Sequence, residues 1–129
     1  MSDWHRSNPD IRALRVAAAD LNGVPRGKRV PVGAADKLLK DGTRFPLSVL
    51  NLDIWGEDIH DSPLVLESGD RDGILRPTER GYVPMPWLDT PTALLPIWMY
   101  HETGEQFEGD PRHAYADHQA QNCRIHNSP

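Results

Sequence analysis

A single turn sequence places the first two strands of this chain. Asn22-Gly23 stands between an apolar stretch at residues 11–21 and a second stretch at residues 26–32. Asn-Gly is a strong hairpin signal because a two-residue type I′ turn needs positive φ at both central positions, which these residues adopt at low cost. The sequence therefore predicts an antiparallel hairpin with a two-residue turn at Asn22 and Gly23.

Length and proline content limit the rest of the architecture. A chain of 129 residues with 38% hydrophobic residues is sufficient for one small domain. Its 12 prolines and 10 glycines favour short strands and long loops over an all-α fold.

A short helix follows the hairpin in the pattern. Residues 34–40 predict this helix, with Leu38 and Leu39 as its buried side. Gly42 is placed to end it in a left-handed conformation.

The sequence then predicts further strands. Residues 47–55 have a two-residue period that puts Asp53 on the polar face. Residues 81–87 and 92–101 predict two more strands, and Pro96 predicts an edge position or a bulge in the last one. In the segment at residues 47–55, the alternating residues are Leu50, Leu52 and Ile54 on one face and Asn51 and Asp53 on the other. Together these segments predict an α+β fold with a β-grasp-like mixed sheet and a short covering helix.

The two ends of the chain differ in composition from the middle. Residues 1–10 are polar and predict a disordered leader, and residues 11–103 predict the folded domain. Residues 104–110 predict a linker, and Asp110-Pro111 has the sequence of a helix start. Residues 115–129 lack apolar helical periodicity, so we expect 104–129 to be a linker and the uncompleted start of another domain.

The charge of the chain excludes some partners. The net charge is −5 with scattered basic residues, which disfavours nucleic acid and membrane surfaces. No apolar run approaches the length of a membrane span or a signal peptide, so the cytoplasm is the expected location. Cys123 is a lone cysteine and predicts no internal disulfide.

Several motifs occur in an informative order. The hairpin at residues 20–31 is followed by Leu52-Asp53-Ile54-Trp55-Gly56, by Gly69-Asp70-Arg71-Asp72-Gly73 in a long acidic loop, and by Asp110-Pro111-Arg112. With these motifs in this order, the chain resembles the N-terminal part of the glutamine synthetase family, most closely the branch of γ-glutamyl-polyamine ligases. The resemblance covers roughly residues 11–113 and implies a β-grasp domain.

The resemblance also implies a chemistry. Members of the family join glutamate to ammonia or an amine, using ATP and Mg²⁺ or Mn²⁺. The residues that bind ATP, metal and glutamate belong to a C-terminal catalytic domain whose motifs this sequence lacks. We therefore expect no cofactor on this chain, no activity from it alone, and a partner in the catalytic domain of a neighbouring subunit in a ring.

The same resemblance assigns roles to acidic residues. Asp53 matches the aspartate that binds and deprotonates the amine in the next subunit's site, a role that suits a carboxylate. Asp72 and Asp70 would add negative potential there, although a plain acidic turn explains both. Trp55 would form an apolar wall with a cation-π contact, or else pack in a core or interface.

One departure concerns the substrate. The ammonia-using branch typically has small residues after this aspartate, whereas Ile54 and Trp55 follow here. The difference favours a bulkier or more apolar amine. For the basic strand residues Arg26, Lys28 and Arg29, the alternatives are contact with a neighbouring subunit or an anion, and a solvated face.

Other sites match poorly. Residues 68–73 with Glu79 fit a calcium loop only in part, because Ser68 replaces the leading Asp and Pro77 interrupts the spacing. His101, His113 and His118 lack the spacing of a zinc site, so no metal site is predicted. No phosphate loop or nucleophile triad is present. The alternative function is a free-standing β-grasp interaction module that binds a protein through Trp87, Trp98 and Tyr100.

Overall fold

The computed structural model describes residues 3–63 and 71–126. Helix α1 spans Asp3–Ser7, α2 spans Ala35–Asp41 and α3 spans Pro111–His126. The strands are β1 at Ala13–Ala19, β2 at Pro25–Pro31, β3 at Thr43–Pro46, β4 at Asp72–Pro77, β5 at Val83–Met85 and β6 at Thr92–Tyr100.

The described strands form one mixed sheet. Its order is β2-β1-β6-β4-β3, and β5 pairs with β6 beside β4. Strands β1 and β6 are parallel, while the other pairs are antiparallel. The predicted α+β class, a mixed sheet with a short helix packed against it, is confirmed.

The first hairpin is confirmed, but its turn differs from the prediction. Asp20 N–H donates to the Val24 carbonyl at 3.0 Å, and Gly23 N–H donates to the Asp20 carbonyl at 3.0 Å. Gly23 has a φ of 76°. Because Asp20 pairs with Val24, three residues, Leu21 to Gly23, form the loop, and the predicted two-residue type I′ turn was wrong.

The predicted edge or bulge at Pro96 was also wrong, because β6 lies inside the sheet. Pro96 is the last residue of β6 that pairs with β1, opposite Ala17. Pairing with β4 begins at the next residue, Ile97, opposite Pro77. Proline is tolerated in this central strand because Pro96 lies where the pairing with β1 ends and the pairing with β4 begins.

The predicted strand at residues 47–55 is a short 3₁₀ helix followed by a turn. The 3₁₀ helix spans Leu47–Leu50, and both of these leucines are buried. Residues three apart lie on the same side of a 3₁₀ helix, which satisfies the leucine spacing without a strand. Ile54 is 70% exposed and does not continue the buried face.

Helix α2 confirms the predicted short helix and its end. Gly42 follows it with a φ of 72°, and its N–H donates to the Leu38 carbonyl at 2.9 Å. Leu38 is buried as predicted, but Leu39 is exposed. Because this helix has only seven residues, it contacts the core along about one turn, and only one of its two leucines is buried.

Both ends of the described chain are more ordered than the sequence indicated. Trp4 of α1 stacks on Tyr82 with ring centroids 4.3 Å apart. Phe107, in the expected linker, is 1% exposed and joins the core. Helix α3 starts at Pro111, directly after Asp110, as predicted, yet continues through residues that have no apolar face.

The core lies on one side of the sheet. Alternate residues of β1 and β6 enter it, and α2, the 3₁₀ helix and Phe107 close it. No helix in residues 3–63 or 71–126 has the length and apolar content needed to cross a membrane. The buried members of the main cluster are Val16, Ala18, Leu38, Leu47, Leu50, Leu75, Leu95, Ile97, Met99 and Phe107.

Candidate functional site

Asp53 organises a tight turn at the surface. Its Oδ1 accepts the backbone N–H groups of Trp55 at 2.8 Å and Glu57 at 2.9 Å. Its own N–H donates to the Glu57 carbonyl, and its carbonyl accepts the N–H of Gly56. No described residue bonds Oδ2 of Asp53. The turn therefore fixes the orientation of the carboxylate and leaves one oxygen for an external partner.

The tip of the first hairpin holds the segment that leads into this turn. Leu21 N–H donates to the Leu50 carbonyl at 3.0 Å. The Asn22 side-chain amide donates to the Leu52 carbonyl at 3.0 Å. The hairpin and the Asp53 turn, which the sequence shows as separate motifs, are thus joined by hydrogen bonds.

The buried carboxylate of Asp20 stabilises the hairpin tip. Asp20 is 1% exposed, and its Oδ1 accepts the N–H groups of Asn22 and Val24, each at 2.8 Å. Its Oδ2 accepts Nε–H of Arg26 at 2.9 Å. Burial raises the pKa of Asp20, but the bonds from Arg26, Val24 and Asn22 and the charge of Arg26 outweigh it, so the pKa lies below its ordinary value.

Arg26 also reaches the Asp53 turn directly. Gly56 has a φ of 84°, and a Cβ at this position would lie 2.9 Å from Nη1 of Arg26. Only glycine combines this backbone conformation with such a close approach. Arg26 therefore packs between Asp20 and Gly56, a structural role that was neither of the two alternatives considered for it. Lys28 donates to the Arg44 carbonyl at 3.1 Å.

A second junction joins the same segment to α3. The Asn51 side-chain amide donates to the Gly109 carbonyl at 3.1 Å. Asp110 is fully buried, and it accepts the N–H of Met99 at 2.8 Å and that of Arg112 at 2.9 Å. His113 Nε2 donates to the Met99 carbonyl at 2.8 Å. Asp110 thus caps α3 and attaches it to β6.

The apolar residues of the Asp53 turn face solvent. Trp55 is 83% exposed and Ile54 is 70% exposed. Leu21, whose backbone bonds the preceding segment, is 60% exposed. Trp55 is therefore no core residue of the described chain, and its backbone N–H lies 2.8 Å from Oδ1 of Asp53.

The other predicted acidic residues lie elsewhere. Asp72 is the exposed first residue of β4, opposite Pro46. It lines a cleft of about 280 Å³ with Arg71, His101, Glu102 and Glu105, and the lining does not include Asp53. Asp70 lies outside the described residues, so its predicted role stays a prediction.

The described residues offer no set of metal ligands. No group of three or more His, Cys, Asp or Glu side chains in residues 3–63 and 71–126 could hold a metal ion. Residues 72–77, which the partial calcium-loop match required as a loop, form strand β4. This part of the chain therefore does not fit the divalent cation that the family uses.

Sequence reasoning did not identify the residues that make the junctions. Asn22, Asn51 and His113 each bond a backbone carbonyl of a distant segment. Each of them lies within or next to one of the motifs that carry the family resemblance. That position is the one sequence signal that could have found them. Their partners are backbone atoms, which a sequence pattern does not mark.

Comparisons with known proteins agree with the motif order. No protein-family model matches the chain. The curated gamma-glutamylputrescine synthetase PuuA of Escherichia coli (strain K12) is 36% identical over 111 residues, which are 81% of this chain and 22% of that enzyme.

Solved structures show the same fold. A GmaS complex with ADP superposes with a TM-score of 0.72 at 25% identity, over 97% of this chain and 26% of that one. A crystal structure of a glutamine synthase homolog superposes with a TM-score of 0.66 at 20% identity, over 79% of this chain and 24% of that one.

The resemblance of this chain to the glutamine synthetase family is therefore confirmed. Its curated relative is a gamma-glutamylputrescine synthetase. The chain spans only about a fifth of that relative's length, 22%.

Proposed function

We propose that this chain is the N-terminal domain of a glutamine synthetase-like ligase that joins glutamate to an amine with the use of ATP. In this proposal the domain forms part of the amine-binding wall for the catalytic domain of a neighbouring subunit. ATP and a divalent cation would be held by that catalytic domain, because the described residues here include no metal-ligand set.

The geometry of the Asp53 turn carries the proposal. Oδ1 is held by two backbone N–H groups at 2.8 and 2.9 Å, and Oδ2 has no partner among the described residues. A carboxylate held in this way attracts an alkylammonium ion and accepts a proton from it, which produces the nucleophilic amine. The proton moves from the ammonium nitrogen to Oδ2.

The exposed side chains beside Asp53 suit an amine with an alkyl chain. The Trp55 ring can contact a cation through its π face, an interaction that contributes about 0.5–1 kcal/mol at exposed sites. Ile54 provides apolar surface for methylene groups, and it is 70% exposed. The polyamine branch of the resemblance and the substrate class in the name of the curated relative support the same choice.

The test is a chimera in which this chain replaces the aligned segment of the Escherichia coli relative. In this chimera, Asp53→Asn retains an oxygen for the Trp55 and Glu57 N–H groups but removes the charge. We expect turnover at limiting amine to fall by about 100-fold or more, with the KM for ATP unchanged.

Asp41→Asn is the matched control, because it makes the same chemical change at an exposed carboxylate at the end of α2, outside the Asp53 turn. It should leave turnover within twofold or so of the parent. Equal turnover of the parent chimera and Asp53→Asn at limiting amine would contradict the amine role. An assembled but inactive parent chimera would contradict the domain assignment.

The alternative function, an interaction module using three aromatic residues, has less support. Trp98 stacks on His113 with centroids 4.7 Å apart, and Tyr100 contacts the same ring edge-on at 5.0 Å. Trp87 lies past the end of β5, where Met85 pairs with Thr92 at the opposite end of β6. By the rise per residue, Trp98 is about 20 Å further along that strand, so the three rings are not one patch.

A further inference from the structure

Two arginines face each other on the outer side of the first hairpin. Arg15 of β1 is directly opposite Arg29 of β2 in the strand register, and both are exposed. Like charges at directly opposed positions destabilise a strand pair. An anionic group from outside the hairpin would offset this repulsion.

Neither arginine side chain has a partner within the described chain. No hydrogen bond or ion pair joins the guanidinium of Arg15 or Arg29 to a residue of 3–63 or 71–126. By contrast, Arg26 pairs with Asp20 and Arg44 pairs with Glu102. The only carboxylate on the wall of the small neighbouring cleft that both arginines line is Asp89, and Arg12 adds a further positive charge beside Arg29.

An open groove lies beside the arginines. Its volume is about 530 Å³, and Arg15 and Arg29 line it together with the apolar or small residues Ala17, Gly27, Met85 and Leu94. Leu94 of β6 is opposite Arg15 across the parallel strand pair. We call these residues the arginine groove. An occupant must offer carboxylates to the arginines and an apolar side chain to the floor.

The same chain exposes a segment of this chemistry. Glu57, Asp58 and Asp61 are exposed, and the described residues contain no cation paired with any of them. Ile59, between them, is 42% exposed. We call residues 57–61 the acidic segment; it starts at the end of the Asp53 turn and is not part of the sheet.

We propose that the arginine groove binds the acidic segment of a second copy of this chain. Glu57 and Asp58 pair with Arg15 and Arg29, and Ile59 lies on the apolar floor beside Leu94. The arginine groove and the acidic segment are different surfaces of the same chain. When the groove of one copy binds the segment of another, one groove and one segment stay unused, so the contact joins copies head to tail. The contact uses the side chains of Glu57, Asp58 and Ile59, although the backbone of Glu57 also belongs to the Asp53 turn. The amine role uses the side chains of Asp53 and Trp55, so different substitutions test the two proposals.

Paired charge reversals test this contact. The groove variant carries Arg15→Glu and Arg29→Glu, and the segment variant carries Glu57→Lys and Asp58→Lys. In sedimentation velocity at low salt, the unchanged chain should associate with rising concentration. Each variant alone should associate at least about tenfold more weakly, because like charges then meet at the contact.

An equimolar mixture of the two variants should associate again. In the mixture, the acidic groove of one variant meets the basic segment of the other, and the remaining contact keeps its original charges. A misfolded variant would not produce this recovery. The association should also weaken at high salt, where the Debye length falls to about 3 Å at 1 M.

The matched control for the groove variant is Lys37→Glu with Lys40→Glu, which makes the same change in net charge on exposed residues of α2. It should associate like the unchanged chain. The proposal is overturned if the unchanged chain stays monomeric at every concentration, if either variant associates as tightly as the unchanged chain, or if the mixture stays monomeric.

Discussion

Asp20 joins both strands of the first hairpin through a single buried carboxylate. It accepts two backbone N–H groups and the Arg26 guanidinium, and Arg26 in turn packs on Gly56. A side chain this well bonded contributes to folding in its charged form. The same contacts position the surface turn that presents Asp53.

Asp20→Asn tests this role at the residue scale. Asn retains an oxygen for the Asn22 and Val24 N–H groups but removes the charge that pairs with Arg26. We expect the free energy of unfolding at neutral pH to fall by about 1.5–3 kcal/mol. Urea denaturation followed by circular dichroism measures the difference.

The effect of Asp20→Asn should depend on pH in one direction. The pKa of Asp20 in the folded chain lies below its ordinary value of 3.8. Its stabilising contribution is therefore complete above that value and is lost as the pH falls through the folded pKa. The difference between parent and variant should shrink in acid, and a difference of equal size there would contradict the assignment. Asp41→Asn, at an exposed carboxylate, should change neither measurement.

At the scale of elements, polar junctions attach the hairpin, the 3₁₀ segment and α3 to one another. The hairpin tip bonds the carbonyls of Leu50 and Leu52, and Asn51 between them bonds the carbonyl of Gly109. The sequence predicted the hairpin and the start of α3 from local signals. It did not predict the segment at 47–55 correctly, because its leucine spacing fits both a strand and a 3₁₀ helix.

Asp110→Ala tests the junction between α3 and β6. The change leaves the buried N–H of Met99 and the first-turn N–H of Arg112 without their acceptor. We expect a loss of about 2–3 kcal/mol in the free energy of unfolding, with faster amide hydrogen exchange in the first turn of α3. Asp117→Ala, at an exposed position of the same helix, is the control. Unchanged exchange in Asp110→Ala would contradict a junction at this residue.

At the scale of the whole molecule, one apolar cluster collects residues from strands, α2, the 3₁₀ helix and the segment after β6. The strand predicted at residues 92–101 accounts for the β6 contribution. The buried position of Phe107 was not predicted, because it stands alone in a polar stretch. Domains of this size are stabilised by only about 5–15 kcal/mol, so each buried side chain matters.

Leu50→Ala tests how much this cluster depends on the 3₁₀ segment. Leu50 is fully buried, and the cavity left by the change should cost about 2–5 kcal/mol of unfolding free energy. Leu39→Ala, at a leucine that is 37% exposed, should cost much less. Thermal and urea denaturation compare the two, and equal losses would show that Leu50 does not belong to the core.

The sequence by itself determined the elements whose signals are local. These are the hairpin, the end of α2 at Gly42, the start of α3 and strand β6, because turn chemistry, capping residues and apolar runs act within a few neighbouring residues. The order of the motifs also identified the family. Only the tertiary structure decided how Asp53 is held, because its support comes from Asn22, Arg26 and Gly56, residues that the chain brings together by folding. It likewise placed Arg15 opposite Arg29, since strand register depends on both strands and the turn between them.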